Sequence, residues 1–441
     1  MKFNQPCNIQ DNDKILINCN IIDPSTQYEK NGEIIIKNGK IFDFGPGVKD
    51  KYDISNMEII DCNNHVVCPG LIDLQVHFRD PGQTKKEDIV TGSKAAVSGG
   101  VTSVVCQPNT APVIDNETIV EYLQHKAEKK SYCNIFIYAA ITKNMEGKEL
   151  SEMGLLSKSD MVVGFTDDGL PVMDSHVMRR ALEYAKMLDL PVAQHAEDLN
   201  LSNKGAINEG EVSETLGIDG IPNSSESVIV ARDIELVKQT GARYHVLHVS
   251  TKESLCHIRN AKKLGLPVTA EVSPHHFTLT DKAVYEFDTD AKMNPPLRSE
   301  EDRKALIEAL TDGTIDAIAT DHAPHDIASK ELSMKKAAFG IVGIETLLPI
   351  SLELYHNGVL SLVEVLEKLT SSPAKIINIP RGKIEKNAIA DLAVIDIDRE
   401  WVIDKEKFHS KSKNTPFHNR KVKGCAVKTF LAGKLVYETD K

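Results

Sequence analysis

From about residue 70 onward the sequence repeats one pattern eight times: a short apolar run rich in β-branched residues, then a longer segment able to form a crossover helix. The runs are GLIDLQVHF, VTSVVCQP, NIFIYAAIT, MVVGFTDD, LPVAQHAE, ARYHVLHVS, PVTAEVSPHH and IDAIATDHAP. Apolar strands that alternate with helices favour parallel βαβ units, and eight such units predict a closed (β/α)₈ barrel of the α/β class. The segment SHVMRRALEYAKMLDL predicts one covering helix, with Val177, Ala181, Tyr184, Ala185 and Leu188 on the stripe expected to face the sheet.

The flanks read differently. Residues 14–68 hold short β-branched runs broken by Gly, Asn and Asp, and the same signature returns after residue 380 in ADLAVIDID, REWVID, CAVKTFLAG and KLVYET. The two ends are therefore expected to combine into a small composite β-sandwich, with residues 1–68 and 376–441 as its parts and a barrel over residues 69–375 between them.

Composition narrows the function. A formal charge of −12 and no basic face argue against a nucleic-acid or anionic-membrane partner, because counterion release needs clustered cations. No apolar run approaches the roughly 20 residues of a membrane span, and the N-terminus lacks the apolar stretch of a secretory signal, so a cytoplasmic location is expected. The eight cysteines include no C-x-x-C pair and are expected to be reduced thiols, Cys106 being a small core residue. The expected partner is a small molecule.

The chemistry lies where polar residues interrupt the apolar strands. His77, Asp168, His195, His248 and Asp321 each follow or finish a strand, and in a (β/α)₈ barrel those C-terminal ends open onto the face where active sites form. Three imidazoles and two carboxylates suit zinc or a similar divalent ion, and a shared carboxylate can bridge two ions about 3.5 Å apart that activate a hydroxide. Hydrolysis is the chemistry this ligand set predicts.

The strings DLQVHFRDPGQTKKED, QPNTAPVIDN, FTDDGLPVMDS, QHAEDLNL, LHVSTKESL, NPPLR and ATDHAPH, in this order, resemble the class I dihydroorotases of the amidohydrolase superfamily, over nearly the whole chain. The resemblance implies a reversible cyclic-amide hydrolase that interconverts N-carbamoyl-L-aspartate and (S)-dihydroorotate in pyrimidine biosynthesis, with one or two Zn²⁺ ions. It implies His77 and Asp321 on a first ion, His195 and His248 on a second, and Asp168 between them where related hydantoinases place a carboxylated lysine. Asp321 is implied as the proton-transferring residue. Arg79, Asn109, Asn294, His325 and the backbone at Phe339 and Gly340 are implied as substrate contacts. Asp167, His275, His276 and His322 are expected to be structural. The resemblance also suggests a homo-oligomer and aspartate carbamoyltransferase as a partner.

One departure stands out. The family's first strand ends in H-x-H, and this chain has Gln75-Val76-His77. A glutamine carbonyl is a weaker zinc ligand than an imidazole, so the first ion is expected to be held less tightly. Two other readings follow: a non-catalytic, dihydroorotase-like structural partner of aspartate carbamoyltransferase, or an amidohydrolase for another cyclic amide such as a hydantoin. Arg79 with Asn109 favours a substrate that bears a carboxylate.

Overall fold

A computed structural model describes residues 1–8 and 12–439. All eight predicted strands form, as Leu71–Val76, Val101–Cys106, Asn134–Ala139, Val162–Phe165, Val192–Gln194, Tyr244–Val246, Val268–Val272 and Ala317–Ile318. They pair in chain order in one parallel sheet. The first and last strands close it: Val76 bridges His322, the His77 amide donates to His322 O at 2.8 Å, and the His322 amide donates to Gln75 O at 3.2 Å. Asp73 reinforces the seam by accepting from the Thr320 amide at 2.9 Å and from Thr320 Oγ1 at 2.5 Å. The seam thus joins the strands that carry His77 and Asp321.

The strands are buried on both faces, which explains why they read as near-continuous apolar runs. Their outward residues pack against the helical shell in the largest core cluster, while Leu74, Val105, Tyr138, Val163, Ala193, Leu247 and Ala319 belong to a separate cluster that Ala374 and Ile376 of helix Ser371–Ile376 join. A barrel interior filled in this way is a floor, not a channel, so chemistry is confined to its rim. Helix Ile89–Ser98 starts where Asp88 accepts from the Val90 and Thr91 amides, an N-cap contributing about 1 kcal/mol. In helix Ser175–Met187 the buried stripe is Met178, Ala181, Leu182 and Ala185. The expected stripe is rotated: Tyr184 is exposed, and Val177 and Leu188 are only partly covered.

Both termini contribute to one nine-stranded mixed sheet. The joining pair is Leu392–Val402 from the C-terminal part, antiparallel to Val66–Pro69 from the N-terminal part. One face buries a core of its own around Leu16, Ile34, Val67, Leu392 and Phe430. Between the strands Leu392–Val402 and Lys421–Leu431, the chain leaves this sheet as a segment, residues 403–420, that reaches the barrel rim.

Candidate metal centre at the barrel rim

The five strand-end ligands converge and are all buried. They form two triads that share Asp168, one with His77 and Asp321 and the other with His195 and His248, and the ligand atoms of each triad lie within 4.8 Å of one another. In the first, His77 Nε2 lies 3.0 Å from Asp321 Oδ1 and 3.3 Å from Asp168 Oδ2. In the second, His195 Nδ1 lies 3.6 Å and His248 Nε2 3.4 Å from Asp168 Oδ1. The two oxygens of one carboxylate thus serve different triads. His195 Nδ1 and His248 Nε2 are only 2.9 Å apart, two nitrogens that converge as they would on a common cation.

The backbone is bent to bring these groups inward. Arg79, His248 and Asp321 all have left-handed φ angles, of 58°, 31° and 47°. Such conformations are costly for residues with a Cβ and concentrate at functional sites.

Two of the three imidazoles, His77 and His195, are oriented by a hydrogen bond at the other ring nitrogen. His77 Nδ1 lies 2.9 Å from Asn109 Oδ1, a contact that turns Nε2 towards the carboxylates. His195 Nε2 faces Glu197 Oε2 at 3.1 Å, and the same oxygen accepts from Asn294 Nδ2 at 2.9 Å. Glu197 therefore joins an expected metal ligand to an expected substrate contact. Sequence reasoning passed over it, although two-residue spacing after His195 was the available signal.

The charges are strongly coupled. Burial alone would push the His195 imidazolium down, but its hydrogen bonds to Asp168 and Glu197 outweigh this and raise it to about 10. Burial likewise opposes ionisation of Asp168 and Glu197, yet the hydrogen bonds from His195, with His248 also on Asp168, hold Asp168 well below the usual carboxylate range and Glu197 at about 2. Buried carboxylates that keep their charge need a compensating positive charge, which an imidazolium or a bound cation supplies.

Gln75 occupies this cluster rather than turning away from it. Its side chain is fully buried, and Nε2 donates to Asp168 Oδ2 at 3.2 Å. Oε1 is buried without a hydrogen-bond partner among the described residues. An orphaned buried carbonyl oxygen on a side chain that touches the shared carboxylate is a donor that a divalent cation could satisfy.

A cavity of about 210 Å³ opens above the cluster, lined by the five ligands and by Arg79, Asn109, Asn294, His325 and Phe339. Roomier cavities, of about 650, 480 and 420 Å³, lie elsewhere and hold none of these side chains. Arg79 is buried; its Nε donates to Pro324 O at 3.3 Å, and its Nη2 lies 3.4 Å from His325 Nε2. Burial lowers its guanidinium to about 10, which still leaves it charged at neutral pH. Burial and the nearby Arg79 push His325 down to about 2, so it is a neutral imidazole. A fixed cation beside a neutral donor or acceptor suits a ligand bearing both a carboxylate and amides.

Gly340 lies behind this lining. Its N–H donates to Lys292 O at 2.9 Å, and its carbonyl accepts from Lys330 Nζ at 3.0 Å. A Cβ there would stand 2.5 Å from Ala323 O and 2.8 Å from His325 Cδ2, so only glycine permits this approach. Asp167 faces away and accepts from the Thr142 amide at 3.0 Å. His276 bonds to Pro295 O through Nε2 at 2.9 Å, and His322 Nδ1 accepts from the Gly343 amide at 3.2 Å.

Fold and site together describe a metal-hydrolase barrel of the amidohydrolase type. A sequence-family model for dihydro-orotase-like proteins matches residues 64–254. The chain is 55% identical to the dihydroorotase of Ehrlichia chaffeensis over 96% of its own length and 95% of the relative's. It is 50% identical to that of Geobacter metallireducens, covering 95% and 98%. The chain belongs to the dihydroorotase family. Among solved structures it superposes on the L-hydantoinase of Arthrobacter aurescens with a TM-score of 0.87 at 24% identity, covering 98% and 97% of the two chains, a likeness of fold.

Proposed function

We propose that this chain is a working dihydroorotase that opens and closes the six-membered ring linking (S)-dihydroorotate and N-carbamoyl-L-aspartate. The observation that carries the reading is one carboxylate, Asp168, shared by two ligand triads beneath a cavity that also holds a buried, charged Arg79. The cofactor we assign is zinc, with His195, His248 and Asp168 on one ion and His77, Asp321, Asp168 and Gln75 available to another. When bound, such ions polarise the scissile carbonyl and lower the pKa of water.

The protein's own groups supply the rest. Arg79 pairs with the substrate carboxylate, while Asn109, Asn294 and His325 offer donors and acceptors to the ring amides and the carboxylate. In the hydrolytic direction water adds to the ring carbonyl and the C–N bond breaks. Asp321 accepts the water proton on a carboxylate oxygen and delivers it to the departing nitrogen, so that nitrogen does not leave as an amide anion. Ring closure runs the same proton path backwards.

Gln75 keeps one other reading in view, that of a non-catalytic subunit. Turnover of dihydroorotate and metal content, measured on one purified sample, decide between them. Turnover with bound zinc supports the enzyme; no turnover with zinc in excess overturns it. A panel of hydantoins and carboxylate-free cyclic amides tests the substrate class, and we expect the carboxylate-bearing ring to be preferred. We further propose a cytoplasmic homo-oligomer that associates with aspartate carbamoyltransferase, which light scattering with and without that enzyme would test. Among the described residues no helix is long and apolar enough to cross a membrane.

A further inference from the structure

We propose that Asn414, which lies outside the barrel, is a positioning residue for the part of the site that grips the substrate carboxylate. Asn414 belongs to the segment that leaves the terminal sheet, and its side chain is almost completely buried against the barrel rim. Nδ2 donates to Ala323 O at 3.0 Å and to Gly340 O at 2.9 Å, and Oδ1 accepts from the His325 amide at 3.1 Å. Its own carbonyl accepts from the Val342 amide at 2.9 Å. One side chain thus uses both amide hydrogens and its oxygen on three backbone groups of the loop after the eighth strand.

Those backbone groups bracket the carboxylate grip. Pro324, whose carbonyl accepts from Arg79 Nε, lies between the two residues tied at Ala323 and His325. His325 Nε2 in turn faces Arg79 Nη2. Holding Ala323 O and the His325 amide fixes the Pro324 carbonyl and the imidazole, and through them the plane of the guanidinium. Gly340, with no Cβ, lets the third tie pull its strand of the loop onto Ala323 and His325.

The metal ligands are anchored differently. Asp321 and His77 are set by the barrel seam, through Thr320 to Asp73 and through the paired backbone of His77 and His322. The hydrogen bonds of the Asn414 side chain reach none of these groups. Its loss is therefore expected to act on substrate binding more than on ion binding or on proton transfer. The surrounding segment is stapled independently: Ser412 Oγ donates to Lys86 O at 2.7 Å, and the His409 and Ser410 amides donate to Glu345. A variant at position 414 therefore keeps the segment in place while it frees the loop.

This inference rests on reading Arg79 and His325 as the carboxylate grip. The test compares Asn414→Ala and Asn414→Asp with the wild-type holoenzyme. Alanine removes all three ties; aspartate keeps the acceptor for the His325 amide but sets a carboxylate oxygen against the carbonyls of Ala323 and Gly340. Positioning errors of about an ångström cost up to about 100-fold, so KM for dihydroorotate is expected to rise about tenfold or more, with aspartate worse than alanine. The expected kcat stays within about threefold and metal content does not change. Hydrogen exchange of peptides covering residues 323–342 gives a readout independent of turnover, and these peptides should lose protection in the alanine variant, where the acceptor of the His325 amide is gone. Unchanged KM, a fall in kcat that tracks lost metal, or wild-type exchange in that loop would each overturn the inference. If the wild type fails to turn over dihydroorotate, the functional reading fails instead, and the exchange result alone decides the role of Asn414.

Discussion

The two halves of the metal cluster share a carboxylate and differ in almost everything else. The half at strands five and six offers two imidazoles and one oxygen of Asp168, with His195 oriented by Glu197. The half at the seam of strands one and eight offers one imidazole, His77, and oxygens from Asp168 and Asp321, with the Gln75 amide against Asp168. Imidazole suits zinc, whereas carboxylate and carbonyl donors suit harder ions such as Mg²⁺ and Mn²⁺. The barrel scaffold thus places two candidate donor sets within one cluster, and the proposed function has the strand-end residues grade their affinity. The imidazole-rich half should hold its ion longest when a chelator is titrated in.

The largest effect should come from removing what the halves share. Asp168→Asn is expected to empty both sites and lower turnover by more than about 10³-fold, since an amide neither balances two cations nor bridges them as a carboxylate does. Metal analysis checks it. A variant that retained two ions per chain would break the shared-ligand picture.

Next in size is Asp321→Asn, confined to the oxygen-rich half. General acid–base catalysis is typically worth about 10² to 10⁴-fold, and that is the expected loss in kcat with the fold intact. Circular dichroism alongside single-turnover rates makes the test. Near wild-type rates would assign the proton to another group.

Glu197→Gln probes the imidazole-rich half. The carboxylate that orients His195 would become neutral, and losses of outer hydrogen-bond partners of this kind cost about 10- to 100-fold in metal affinity. Competition with a chromogenic chelator should show the more tightly held ion weakened while the other is unchanged. Because Asn294 also donates to Glu197, KM should rise as well.

Much of this arrangement was legible in the sequence because barrel strands buried on both faces leave few polar positions. His77, Asp168, His195, His248 and Asp321 stood out against apolar runs, and the topology of a closed barrel sends every such end to one rim. What stayed hidden depended on direction or on long-range contact. The helical stripe at residues 175–187 was misplaced by one position because Val177, Tyr184 and Leu188 fit the same periodicity as Met178 and Leu182, and spacing alone does not set rotation about the axis. Asn414 lies 89 residues from His325, whose amide it ties, and outside every motif that the sequence offered. Gln75 was visible as a departure, but only the structure gives its direction, into the cluster and against Asp168.

The smallest expected effect sharpens the comparison most, because it changes one half and leaves the other alone. Gln75→His returns an imidazole to the oxygen-rich half, at the position that touches Asp168, and without a change in formal charge if the imidazole is neutral. Its nitrogen is a stronger zinc donor than an amide oxygen, so the weaker-held ion should bind about tenfold more tightly, with turnover raised or preserved. Two zinc titrations, of wild type and variant, should then differ only in the weaker step; the tighter step, built on Asp168, His195 and His248, should superimpose. The imidazole also replaces the amide hydrogen bond to Asp168 Oδ2, so that oxygen becomes freer to bind the cation. A shift in both steps would show that Asp168 transmits the change across the cluster and that the halves are not independent. No shift in either would place Gln75 outside the ligand set despite its contact, leaving His77, Asp321 and Asp168 to hold the weaker ion with water in the remaining position.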